Sequence, residues 1–268
     1  MHSKQYPWAL FGLLVLTQIC YPLTSGGLRA ADTVLTVVLG YLLSVSHALL
    51  TRGLRVAAAL VATATVGGFA VEAIGVATGF PFGTYDYSGQ LGPKLLGVPL
   101  IIPLAWTWMA WPAWLAAVRL ARGRAARIAL AAAGLATWDL FLDPQMVAEG
   151  YWRWHSPTPA LPGVPGIPIG NYLGWLAFAV LLMTALSYAA GPAASTTRPE
   201  AKAAGPAADQ SGAQDRPILA LWFWTYASSV LAHAVFLGLP ASAGWGGVLM
   251  GAVVIPLAVK HLGNSRAA

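Results

Sequence analysis

Apolar residues run along this chain in blocks of about twenty, separated by short clusters of Gly, Pro and charge. The blocks fall near 7–24, 31–50, 56–79, 96–118, 126–147, 170–190, 217–239 and 244–260. About twenty mostly apolar residues carry a helix across a hydrocarbon core about 30 Å thick. The pattern therefore predicts an all-α, polytopic integral membrane helical bundle of about eight transmembrane helices. Residues 191–216 break it: they are rich in Ala, Pro, Ser and Thr and hold Arg198, Glu200, Lys202, Asp209, Asp215 and Arg216. That composition predicts a flexible, solvated linker between spans six and seven of a single membrane domain, residues 1–268. Overall composition agrees. The chain is 57% hydrophobic and 9% charged, with a mean hydropathy of +0.65, whereas a soluble domain carries about 25% charged residues. A soluble enzyme is excluded. Cys20, the one cysteine, excludes an internal disulfide and a thiolate metal cluster.

The net charge of +6 is not gathered on a soluble face and does not point to nucleic acid. It reads instead as topology. With a cytoplasmic N-terminus and strict alternation, twelve of the fifteen Lys and Arg fall on the cytoplasmic side, leaving only Arg29, Lys94 and Arg153 opposite. This positive-inside bias predicts a multi-pass protein of the cell membrane with both termini cytoplasmic. Lys4 before an apolar run is also how a signal peptide begins, but the run lacks a clean small-residue cleavage site and reads as a span.

Three of the nine carboxylates belong to the linker. The other six, Asp32, Glu72, Asp86, Asp139, Asp143 and Glu149, all fall toward the outer side. Asp32 and Glu149 suit the interfacial zone, or loop capping and pairing with Arg153 or Lys94. Glu72, Asp139 and Asp143 lie within spans, where a carboxylate is costly and marks function. Asp139 and Asp143 are four apart and share a helix face. Two carboxylates this close repel, and a poorly solvated pair retains a proton that makes a general acid. Pro144 predicts that the helix ends or kinks at Asp143.

Aromatic residues crowd the same end: Phe80, Phe82, Tyr85 and Tyr87 after the third span, and Trp138, Phe141, Tyr151, Trp152 and Trp154 around the end of the fifth. Trp106, Trp108, Trp111 and Trp114 join them from the fourth, which also carries Pro99, Pro103 and Pro112. Prolines inside a span need neighbouring helices or water to satisfy the carbonyls they free. An interfacial aromatic belt accounts for single rings; rings beside an acid suit a site that shields a carbocation. Residues 79–93 and 157–170 are rich in Gly and Pro, which punctuate turns, and predict a structured lid. Asn171 opens the sixth span as a candidate cap.

Several of these segments carry a resemblance. They are Gly79-Phe80-Pro81-Phe82-Gly83-Thr84-Tyr85, Leu91-Gly92-Pro93, Gly97-Val98-Pro99, Ile102-Pro103-Leu104-Ala105-Trp106, Trp138-Asp139-Leu140, Leu142-Asp143-Pro144 with Met146, Gly150-Tyr151-Trp152-Arg153-Trp154, Gly166-Ile167-Pro168 and Asn171-Tyr172-Leu173-Gly174-Trp175. Together, over residues 60–190, the chain resembles the membrane carotenoid-biosynthesis proteins that include the acyclic carotenoid 1,2-hydratases. The first two and last two spans add little to it. The resemblance implies a lyase that adds water to the terminal double bond of an acyclic carotenoid, with membrane lipid around it and contacts to other carotenoid-pathway enzymes compatible with it. That chemistry needs no cofactor and no metal. It needs a general acid, aromatic walls and one positioned water. The residues that suit it are Asp139 or Asp143 as acid, Glu72 to orient the water, and Tyr85, Trp106 and Trp138 around the cation, with Phe82, Trp152 and Asn171 completing the substrate site.

Other classes fit less well. His47 and His233 lie at different depths and do not pair as haem ligands, and no HExxH motif is present. A proton-coupled transporter could use the three acids as a relay, yet they gather at one face and not at the midplane. A carotenoid cyclase stays open, because the same cation can close a ring and lose a proton.

Overall fold

The computed structural model describes residues 5–194 and 207–266. Eight helical segments follow one another: α1 (Tyr6–Cys20), α2 (Gly26–Arg52), α3 (Leu54–Thr78, with a π turn at Val61–Val66), α4 (Ile102–Leu120), α5 (Arg124–Ala148), α6 (Ile169–Ala190), α7 (Ala207–Leu231, continued by a π turn at Ala232–Phe236) and α8 (Pro240–Arg266). The structure is an all-α bundle. Seven of the helices are long and apolar enough to cross a membrane.

The exception, α4, is the centre of the bundle. Fifteen of its nineteen residues are buried, among them Trp106, Trp108, Trp111 and Trp114, and it packs against α2, α3, α5, α7 and α8. Tryptophan lowers its hydropathy but supplies large rings that fill a helix interior. It starts six residues later than the expected 96–118. Pro103 lies in its first turn, where a missing N–H costs nothing, and Pro112 is its interior proline. Pro99 belongs instead to a strand. Pro112 frees the Trp108 carbonyl four residues back, and Ser44 of α2 donates its hydroxyl there at 2.8 Å. Pro144 likewise frees the Leu140 carbonyl, and Ser242 of α8 donates to it at 2.6 Å. Helix α5 therefore continues through Pro144 to Ala148 and does not end at Asp143.

The two loops at one end of the bundle form the lid. Six short strands lie in them: β1 (Tyr85–Tyr87), β2 (Lys94–Leu95), β3 (Val98–Pro99), β4 (Trp152–Trp154), β5 (Ala160–Leu161) and β6 (Val164–Pro168). β1 and β4 pair antiparallel, matching Tyr85 with Trp154, Asp86 with Arg153 and Tyr87 with Trp152. Alternation along a strand turns Tyr85, Tyr87, Trp152 and Trp154 toward the bundle and leaves Asp86 and Arg153 exposed. Glu149 pairs with Arg29 and Asp86 with His155, so neither of the basic partners expected for Glu149, Arg153 or Lys94, takes that role.

At the opposite end, only part of the linker expected over 191–216 belongs to the described residues. Residues 195–206 lie outside the described residues, but α7 already begins at Ala207. Asp215 is buried. It accepts two hydrogen bonds from Arg52, at 2.8 and 2.9 Å, and one from Arg119 at 2.7 Å. This ion cluster ties the ends of α2 and α4 to α7.

Candidate active site

Glu72 points from α3 into the space under the lid. Its Oε2 accepts from the Tyr85 hydroxyl at 2.6 Å and the Tyr87 hydroxyl at 2.8 Å, and its Oε1 accepts from Trp106 Nε1 at 3.0 Å. Burial and the adjacent Glu72 charge hold both tyrosine hydroxyls well above their ordinary pKa, so they remain donors. With three donors around it, the Glu72 carboxylate is a fixed acceptor.

Asp139 and Asp143 project from one face of α5. Asn171 Nδ2 donates to Asp139 Oδ2 at 2.9 Å and also to Asp143 Oδ2. Trp152 Nε1 of the lid donates to Asp143 Oδ1 at 3.1 Å. Asn171 therefore does not cap α6. Pro168 holds the cap position, and the amide of Asn171, one turn inside, bridges the two aspartates.

Rings fill the space between the acids. Trp106 stacks on Trp175 with centroids 3.8 Å apart and planes 18° apart, and Phe178 meets Trp106 edge-on. Trp138 stands edge-on to both Trp108 and Trp175, and Tyr85 and Tyr87 contact Trp154 and Trp152. A cavity of about 140 Å³ opens among them, lined by Glu72, Asp143, Phe82, Tyr85, Trp106, Trp138, Trp152 and Asn171. Of the nine site residues expected from sequence, only Asp139 is absent from this wall. It is fully buried behind Asp143, linked to it through Asn171. Among the described residues, no three His, Cys, Asp or Glu side chains gather to hold a metal ion.

The structure also adds wall residues. Trp175 was visible only as part of a motif; its stacking on Trp106 has no local signal. Gln18, Tyr21, Thr33 and Thr36 bring α1 and α2 to the cavity, and Ser228 and Ser229 bring α7. Those helices seemed peripheral because neutral polar residues scattered through a span carry no distinctive pattern.

Residues 32–210 match the family model described as carotenoid biosynthesis protein. The bisanhydrobacterioruberin hydratase of Haloarcula japonica is 38% identical over 127 residues, which is 46% of this chain and 41% of that protein. The chain thus matches about two fifths of that relative's length. No solved structure matches.

Proposed function

The chain belongs to the carotenoid biosynthesis protein family, and on that basis we propose that it hydrates the terminal double bond of an acyclic carotenoid end group within the membrane. The observation that carries the proposal is a carboxyl pair opening, through Asp143, onto an aromatic-walled cavity. The name of the Haloarcula japonica relative supports the same reaction type.

In this reading Asp143 is the proton donor, because it is the member of the pair that lines the cavity. Two like charges side by side cannot both ionise, so the pair suits a single shared proton, with Asn171 holding both carboxyls in place. Transfer of that proton to the less substituted alkene carbon leaves a tertiary cation. The faces of Trp106 and Trp175 attract it, and the Glu72 carboxylate supplies a counter-charge across the cavity. Glu72 acts here more through charge than by orienting water, since its three donors already occupy most of its acceptor capacity. Water then bonds to the cationic carbon, and its surplus proton returns to Asp143. The product is a tertiary alcohol.

The test is expression in a host accumulating lycopene or a C50 acyclic carotenoid, read by chromatography and mass spectrometry. Hydration adds the mass of one water per reacted end. Cyclisation keeps the mass and shifts the absorption spectrum, and transport leaves the pigment unaltered. General acid catalysis contributes about 10²–10⁴-fold, so Asp143→Asn is expected to lose that much product at unchanged protein level, with Asp139→Asn losing less. Full hydration by Asp143→Asn, or unaltered pigment with the wild type, rejects the proposal.

A further inference from the structure

The cavity has two chemically different sides. The acid side is closed: Glu72, Asp143, Asn171 and the rings around them are buried. Another part of the lining comes from α1, the turn after it, α2 and α5 and presents neutral hydrogen-bonding groups, Gln18, Tyr21, Thr33, Thr36 and Gln145. Gln18 and Gln145 are half-exposed there, beside the Arg29–Glu149 ion pair. A hydrocarbon end group has no use for such a wall. Water has.

The two threonines are committed in a way that defines what they offer. Thr33 donates its hydroxyl proton to the Arg29 carbonyl at 2.8 Å, and Thr36 donates its own to Thr17 Oγ1 at 2.7 Å. With both protons engaged away from the cavity, each oxygen can serve it only as an acceptor, and the Thr33 oxygen already has the Tyr151 hydroxyl beside it. A water molecule that donates one hydrogen to such an oxygen keeps a lone pair for the cation and its second hydrogen for transfer to Asp143.

We propose that Thr33 and Thr36 hold the water that captures the cation, and that this wall decides whether the intermediate ends as an alcohol or reverts to an alkene. The inference rests on the hydration reading above. In the step concerned, the water oxygen donates an electron pair to form the C–O bond, and the oxonium proton passes to the Asp143 carboxylate that lost one earlier. Without a held water, the cation returns a proton to Asp143 and the alkene is regenerated. The threonines are positioning residues and take no part in proton donation.

The experiment uses membranes containing the full chain, supplied with lycopene or a C50 acyclic carotenoid in D₂O buffer. Two quantities are read: the yield of hydrated product, and deuterium entering the recovered alkene, which reports cation formation without capture. For the double variant Thr33→Val, Thr36→Val, hydrate is expected to fall at least tenfold while deuterium in the recovered alkene persists or rises. Thr33→Ser with Thr36→Ser, which restores both oxygens, is expected to recover the hydrate. Parallel loss of hydrate and deuterium, or loss of neither, overturns the inference and leaves the hydration reading standing. A wild type that forms no hydrate and incorporates no deuterium overturns both.

Discussion

Glu72 sits on α3 between Gly68, four residues before it, and Gly75, three after, so all three share one helix face. That spacing makes the site possible. A Cβ at Gly68 would lie 3.0 Å from the Trp106 ring, and one at Gly75 would lie 2.7 Å from the Tyr85 hydroxyl. The two missing side chains leave room for the donors that reach Glu72. A hydrogen bond to a charged group is worth about 1.5–3 kcal/mol. Tyr85→Phe and Gly75→Ala are each expected to destabilise the protein by about that amount. Because both remove the same contact, the double variant is expected to cost little more than either single one. Thermal unfolding in detergent measures this, and additive losses would show that Gly75 serves some purpose other than admitting Tyr85.

At the scale of the element, interior prolines do not break α4 or α5, because each freed carbonyl finds a serine on a neighbouring helix. Ser44 and Ser242 are both buried, and their bonds to the Trp108 and Leu140 carbonyls join α2 to α4 and α8 to α5. Leaving such a carbonyl buried and unpaired costs about 1–3 kcal/mol. Ser44→Ala and Ser242→Ala are expected to lower stability by that much each, measured by the same unfolding assay. If Ser242→Ala proved neutral, the Leu140 carbonyl would have to be satisfied without help from α8. The Ser242 bond also bears on the site, since Leu140 lies on α5 between Asp139 and Asp143.

Across the whole molecule, the lid and the acids lie at one end and the Arg52–Asp215–Arg119 cluster at the other. The distribution of Lys and Arg predicts that the arginine-rich end is cytoplasmic. Reporter fusions in the 121–123 turn and within 157–163 are expected to report opposite sides of the membrane, the first cytoplasmic. The same side for both would overturn the alternation of α5 across the bilayer. The predicted orientation places the cavity near the outer interface, where, on the proposed function, a carotenoid lying across the hydrocarbon core would present one end to it.

The helices, their order and the end at which the acids gather were legible from the chain alone. Hydropathy is a property of consecutive residues, and alternation across a bilayer converts sequence position into depth. The Gly and Pro clusters likewise marked the lid, because turn chemistry is local. Which groups meet within that depth was decided by tertiary packing. The rotation of each helix about its axis, and the neighbour it faces, sets Asn171 between two aspartates instead of at a helix cap, stacks Trp175 on Trp106, and places Asp139 behind Asp143. It also buries Asp215, which the composition of 191–216 assigned to solvent, because its partners Arg52 and Arg119 lie far away in sequence on other helices. Contacts of that separation leave no periodicity to read. They exist only once the apolar faces have packed and the polar groups left inside must find one another.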